Sequence, residues 1–215
     1  MKLYSYWRSS TSYRARIALN LKGLDYEIVP VHLLRDGGEH RKADYMALNP
    51  QGILPTLVDG ATVLTQSLAI VEYIDETHPT PPLLPADAAG RARVRAFSQA
   101  VACEIHPLTN LRVLKHLTGV LGHSEDDKLA WYRHWTAEGL RALEEMVAGH
   151  PATGTFVHGD APTLADLCLV PQMYNARRFS IDLTPYPTLV RIDEACRALP
   201  AFAQAAPEAQ PDAGT

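Results

Sequence analysis

The sequence predicts an α/β domain followed by an all-helical one, and three observations carry that prediction. Strand and helix patterns alternate over roughly the first 80 residues. A proline-rich stretch without periodicity, "HPTPPLLPAD" (78–87), reads as a linker. Beyond it no strand series can be read.

Each element has its own signal. "KLYSYW" (2–7) is aromatic and apolar enough for a first strand. Residues 13–22 put Ile17, Ala18 and Leu21 on one helical face, with Gly23 in a stop position. "YEIVPVHL" (26–33) is a second strand in which Pro30 marks an edge or an irregularity. "HRKADYMALNP" (40–50) is a short helix ended by Asn49-Pro50. "ILPTLVDGATVL" (53–64) is a hairpin turned at Asp59-Gly60, and "QSLAIVEYIDETHP" (66–79) is a helix that Ser67 can cap. The order is βαβαββα.

Residues 88–121 and 126–148 read as long helices, the first kinked at Pro107. "APTLADLCLVPQMYNARRF" (161–179) sets Thr163 and Asp166 in capping-box spacing ahead of an apolar run, and a last helix covers 187–199. The tail "APEAQPDAGT" is too poor in hydrophobic residues to order itself. The expected division is therefore 1–79, a linker 80–87, a helical domain 88–206 and a flexible tail 207–215.

The 215 residues are 47% hydrophobic and 20% charged, as in an ordinary globular protein. A net charge of −4 argues against nucleic acid or an anionic membrane surface as partner. "MKLYSYWRSS" lacks the apolar core of a signal peptide and no apolar run approaches a membrane span, so a cytoplasmic location is expected. Cys103, Cys168 and Cys196 form no CxxC pair and read as reduced, mostly buried thiols. The nine histidines make no ligand pair, and no metal site is expected.

Chemistry concentrates in "WRSSTSYRARIAL" (7–19), where Ser9, Ser10 and Thr11 precede an amphipathic pattern. One hydroxyl suffices to cap a helix. The others, with the unpaired amides and partial positive charge of a helix start, suit an anion or a thiolate. Ser67 and the first amides behind it make a second anion site of the same kind. His106 and Asn110 fall at i,i+4 spacing with Arg112 close by, on a polar helix face that could equally meet water. Arg8, Arg177 and Arg178 are guanidinium forks of the type that grips carboxylates.

These stretches together, with "LNPQGILPTL", "HPLTNLRVL" and "ADLCLVPQMYNARRFSIDLTPYP", resemble the cytosolic glutathione transferases. The motifs are most similar to the zeta class, the maleylacetoacetate and maleylpyruvate isomerases. The resemblance implies a thioredoxin-like N-terminal domain, an all-α C-terminal domain, glutathione as cofactor and a homodimer. It implies Ser9 as lead donor to the glutathione thiolate, with Ser10 and Thr11 beside it and Tyr6 as the tyrosine alternative. Thr11 stands where the family motif carries cysteine, so a thiol there is not required. It implies a cis bond before Pro55, with the Ile53–Leu54 backbone meeting the cysteinyl part of glutathione as a short added strand. Gln66 and Ser67 are assigned to its γ-glutamyl carboxylate, and His40 to its glycyl end or to solvent. His106, Asn110 and Arg112 are placed beside glutathione or across a dimer interface. Arg8 and Arg178 are implied to hold the carboxylates of a dianionic maleyl substrate, Arg178 facing inward and Arg177 facing water.

The implied activity is a glutathione-dependent cis-trans isomerisation of maleylpyruvate or maleylacetoacetate to the fumaryl isomer, a step of aromatic-compound catabolism. Its rivals are a general glutathione transferase or dehalogenase for electrophiles and a non-catalytic module of the same fold. The second rival is disfavoured because such modules usually lose both the hydroxyl run and "QS".

Overall fold

The computed structural model describes residues 1–214. Four short strands, β1 (Lys2–Ser5), β2 (Glu27–Pro30), β3 (Thr56–Asp59) and β4 (Thr62–Thr65), form one sheet in the order β2-β1-β3-β4. β1 runs parallel to β2 and antiparallel to β3, and β3 returns antiparallel as β4. Pro30 closes the edge strand, where its missing N–H breaks no ladder bond. Gly60 takes φ +57° in the hairpin turn, a conformation that L side chains rarely adopt. Helices α1 (Ser10–Leu21), α2 (Ala43–Leu48) and α3 (Ser67–Thr77) complete the expected βαβαββα order. Leu3, Leu57, Ile17, Leu19, Ile70 and Ile74 have no exposed surface and form the core between the sheet and α1 and α3.

The second half is helical: α4 (Ala88–Gln99), α5 (His106–Thr109), α6 (Leu111–Gly119), α7 (Glu125–Val147), α8 (Leu164–Arg178), α9 (Pro187–Arg197) and α10 (Pro200–Ala205). The Thr163–Asp166 capping box starts α8 as its spacing predicts. Asp166 is fully buried and accepts from Val157 N, Thr163 N and Thr163 Oγ1 at 2.8–2.9 Å. Burial pushes its carboxyl up to about 6 against the pull of those donors.

Three expectations are corrected. Residues 88–121 are not one kinked helix. A wide π-helical turn, Ala100–Ile105, leads into α5, and the chain breaks at Asn110 (ψ 145°) before α6 begins. Pro107 lacks the amide an uninterrupted α-helix needs, and Asn110 offers its side chain to Arg112 N at 3.0 Å as a cap. The helix expected at 187–199 appears as α9, ending at Arg197, but it is not the last: Pro200 opens α10.

The domain division also differs. The chain forms two compact units, Met1–Leu83 together with the residues from Arg197 onward, and Leu84–Cys196. The segment expected to be a flexible tail therefore belongs to the α/β unit. α10 packs on α1, Pro207, Gln210 and Asp212 are buried, and Gln210 Nε2 donates to Gln204 O and Ala206 O. Composition predicted disorder because so few of these residues are apolar; polar bonds to the α/β unit supply the order. Part of the linker is pinned as well: Leu83 is buried and its amide donates to Asp75 Oδ1 at 2.8 Å. All three cysteines are free thiols, two buried and Cys103 exposed.

Candidate active site

The hydroxyl run sits where β1 hands over to α1. Ser9 is the N-cap, its Oγ accepting from Ser12 N at 3.2 Å. Its hydroxyl also lies 2.9 Å from Thr11 Oγ1, and Thr11 Oγ1 donates to Leu54 O at 2.9 Å. Thr11 has one proton, and a carbonyl can only accept, so that proton is committed to Leu54. The Ser9 proton must then point to Thr11. The result is a directed chain, Ser9 to Thr11 to Leu54, and Ser9 can redirect its proton to an incoming anion while keeping its cap bond. Ser10 is the first residue of α1 and buried, and the first turn carries no acidic side chain to oppose an anion. Arg8 is half-buried with its guanidinium 5.0 Å from the Trp7 ring centroid. Tyr6, the alternative donor, is 3% exposed and packs in a core cluster with Val31, Tyr45 and Leu54.

The "ILPTL" stretch faces the same region. The Leu54–Pro55 bond is cis, as the resemblance implies. The Ile53 carbonyl is taken internally, accepting from Tyr45 Oη at 2.6 Å and Asn49 Nδ2 at 2.8 Å. The Leu54 amide has no hydrogen-bond partner among the described residues, which leaves a donor for an extended ligand backbone. His40 lies in a tight turn, Glu39–Arg41, half-buried. Its ring rests against Gly38 (φ +110°), where an added Cβ would meet Cε1 at 2.3 Å.

At the start of α3 the positions shift by one. Gln66 occupies the cap position without a side-chain cap bond, and Ser67 is the first helical residue rather than the cap. Gln66 adopts φ +69°, ψ 116°, a region that costs a non-glycine residue of order 1–3 kcal/mol. Its Nε2 donates to Gln51 Oε1 at 2.6 Å, which fixes the amide's direction. Ser67 is 5% exposed and accepts from Arg14 Nη1 at 3.3 Å.

Arg14 was not singled out by the sequence. It is 1% exposed, yet its Nε and Nη2 have no hydrogen-bond partner among the described residues. A buried guanidinium with most donors unused is costly unless an anion completes it. Arg14, the Ser67 hydroxyl and the first amides of α3 therefore suit the free carboxylate of an amino-acid-like ligand. Arg14→Met should weaken glutathione binding by about 1.5–3 kcal/mol, the worth of a charged hydrogen bond. Titration calorimetry on wild type and variant checks this, and equal affinities would remove Arg14 from the site.

In the helical unit His106 and Asn110 do not share a continuous helix face. They still meet, Asn110 Nδ2 lying 3.2 Å from His106 Nε2, because the break after α5 turns Asn110 back. Arg112 is exposed at the start of α6. Arg178 ends α8 and is exposed, its guanidinium 4.8 Å from the Phe179 ring centroid. Phe179 stacks on buried Tyr132 at 3.8 Å, and burial pushes the Tyr132 hydroxyl up to about 12 while Arg178 pulls the other way. Arg177, expected to face water, binds the fully buried Asp193 at 2.6 Å and keeps only 37% of its side chain exposed. Burial does not distinguish the two arginines; their partners do. No cluster of side chains suited to a metal ion occurs among the described residues.

Residues 8–77 match the family model described as glutathione S-transferase, N-terminal domain. The chain is 53% identical over 211 residues to the probable maleylacetoacetate isomerase of Vibrio cholerae, spanning 98% of this chain and 97% of that protein. It is 52% identical to a solved holo maleylpyruvate isomerase, described as a bacterial zeta-class glutathione S-transferase, with a TM-score of 0.96 and all of both chains covered. A maleylacetoacetate isomerase from Methylobacterium extorquens AM1, solved with malonate and glutathione bound, is 44% identical with a TM-score of 0.96, again over both whole chains.

Proposed function

The chain belongs to the zeta-class glutathione transferases, within the maleylacetoacetate and maleylpyruvate isomerase family, and we propose on that footing a division of labour among its residues. It is a glutathione-dependent cis-trans isomerase. Bound glutathione supplies a thiolate that adds reversibly to a conjugated cis double bond, so that the bond can rotate and be restored as trans.

The chain's own residues hold and orient. Ser9 redirects its proton toward the thiolate, Ser10 and Thr11 stand beside it, and the start of α1 adds its partial positive charge. The Leu54 amide pairs with the cysteinyl backbone, Ile53 being held in place by Tyr45 and Asn49. Ser67 and Arg14 receive the γ-glutamyl carboxylate, Gln66 its polar atoms, and His40 the glycyl end. Arg8 and Arg178 hold the two carboxylates of a maleyl keto-acid, with His106, Asn110 and Arg112 as further polar contacts. Malonate in the Methylobacterium relative is a small dicarboxylate and supports that substrate class. We also propose a homodimer in the cytoplasm. No helix is long and apolar enough to cross a membrane among the described residues.

The carrying observation is the directed hydroxyl chain at the start of α1, next to an unpartnered Leu54 amide. Maleylpyruvate and maleylacetoacetate should each be isomerised only when glutathione is added. Ser9→Ala should raise the pKa of the bound thiol by about 1–2 units, since a charge-assisted bond is worth roughly 1.5–3 kcal/mol. Thiolate absorbance of the complex, titrated against pH, reads it. An unchanged titration with full activity would pass the role to Ser10.

A further inference from the structure

The loop that carries Arg8 and Ser9 is fixed by the far end of the chain. Between β1 and α1 the backbone of Tyr6 and Trp7 forms no part of the sheet. On one side stands Arg16, fully buried, whose Nη2 donates to Trp7 O at 3.0 Å and whose Nη1 donates to Ser5 Oγ at 3.0 Å and Tyr6 O at 3.4 Å. Its Nε donates to Ala205 O at 2.9 Å, so this guanidinium links the loop to α10. Burial pulls Arg16 down to about 10, which leaves it charged at neutral pH. On the other side the Trp7 amide donates to Asp212 Oδ2 at 3.0 Å, across 205 positions of sequence. Asp212 is 8% exposed in a segment whose composition promised no order.

Both polar atoms of the Trp7 backbone are thus held by ionised side chains, its N–H by a carboxylate and its C=O by a guanidinium. Charge-assisted bonds of this kind are short and directional. The next peptide leads to Arg8, and the one after to Ser9, whose own amide donates to Tyr6 O at 2.9 Å. Rotating the Trp7 peptide would move the Arg8 side chain and the cap hydroxyl together.

We propose that Asp212 is a positioning residue for the isomerisation, aiming Ser9 and Arg8 through the Trp7 backbone. The proposal rests on the roles given above to those two residues. It differs from mere stabilisation of the fold in one measurable respect: it couples the C-terminal segment to the acidity of the bound thiol.

The test uses Asp212→Ala, Asp212→Asn and Ser9→Ala in the full chain. Circular dichroism gives the melting temperature, thiolate absorbance gives the pKa of bound glutathione, and initial rates on maleylpyruvate give kcat and KM. Asp212→Ala should raise the thiol pKa by about one unit, a tenfold change in ionisation, and lower kcat/KM about tenfold. Asp212→Asn keeps an oxygen acceptor for the Trp7 amide and should recover most of both. Should Asp212→Ala not fold, Asp212→Glu keeps the charge, displaces the acceptor by one methylene, and is expected to raise the thiol pKa in the same direction. A lower melting temperature with unchanged thiol titration and kcat would overturn the proposal, leaving Asp212 structural. A shift with Ser9→Ala but none with the Asp212 variants would overturn the positioning role alone. No shift in any variant would overturn the role of Ser9 and this proposal with it.

Discussion

Arg178→Met is expected to remove most isomerisation of a dianionic maleyl keto-acid while leaving the fold intact. The guanidinium ends α8, is exposed, and rests on the face of Phe179, which is braced from within by Tyr132. Methionine retains the unbranched stem that covers the ring, so packing changes little. The carboxylate it is proposed to hold loses its fork, which costs roughly 2–5 kcal/mol where the bound substrate desolvates the pair. That corresponds to a fall in kcat/KM of about 30-fold to several-thousand-fold. Conjugation of glutathione to a neutral halogenated aromatic makes no such contact and should be spared. Parallel rates on the two substrate types check the result. Equal losses on both would assign Arg178 to structure, and unimpaired isomerisation would remove it from the site.

The neighbouring substitution should do the reverse. Arg177→Met takes the guanidinium from Asp193, a carboxylate with no exposed surface on α9. Breaking a fully buried pair costs about 3–5 kcal/mol; since Arg177 keeps contact with water, about 2–4 kcal/mol is the fitting range. In a chain of this size each kcal/mol moves the melting temperature about 2–4 °C, so a drop of roughly 5–15 °C is expected. Isomerisation measured well below that temperature should stay near wild type. Thermal melts of the two variants side by side decide the matter, since the arginine that costs stability and the one that costs turnover should be different residues. An unchanged melting temperature would show that Asp193 is satisfied without Arg177.

The sequence made the architecture legible because its signals are local. The strand and helix periods of the first 80 residues, the Asp59-Gly60 turn and the Thr163–Asp166 box each act within a few residues, and the elements they announce appear in the expected order. The helix starts of α1 and α3, proposed as anion sites, were legible for the same reason. Arg14 was not, because an arginine beside apolar helix positions reads as solvent-facing, and only the tertiary arrangement shows that it is enclosed with donors to spare. Arg177 and Arg178 differ by one position, about 100° around a helix, and which of them meets Asp193 depends on where α9 lies. The break at Asn110 was hidden by an apolar period that runs through it. The order of residues 207–212 was hidden by composition, since what holds Asp212 is an amide at the other end of the chain.

That last arrangement bears on how the protein is made. The residues of the helical unit, 84–196, are contiguous, whereas the α/β unit is split around them. During synthesis the first 83 residues leave the ribosome long before Ala205 and Asp212 exist. Until then Arg16 must stay within reach of water, since its Nε lacks a carbonyl and burying the charge short of partners is costly. The unit that begins the chain is therefore the one that closes last, and the helical unit can complete its fold first. Nascent chains halted at 196 should present the α/β half to a protease as open and the helical half as resistant.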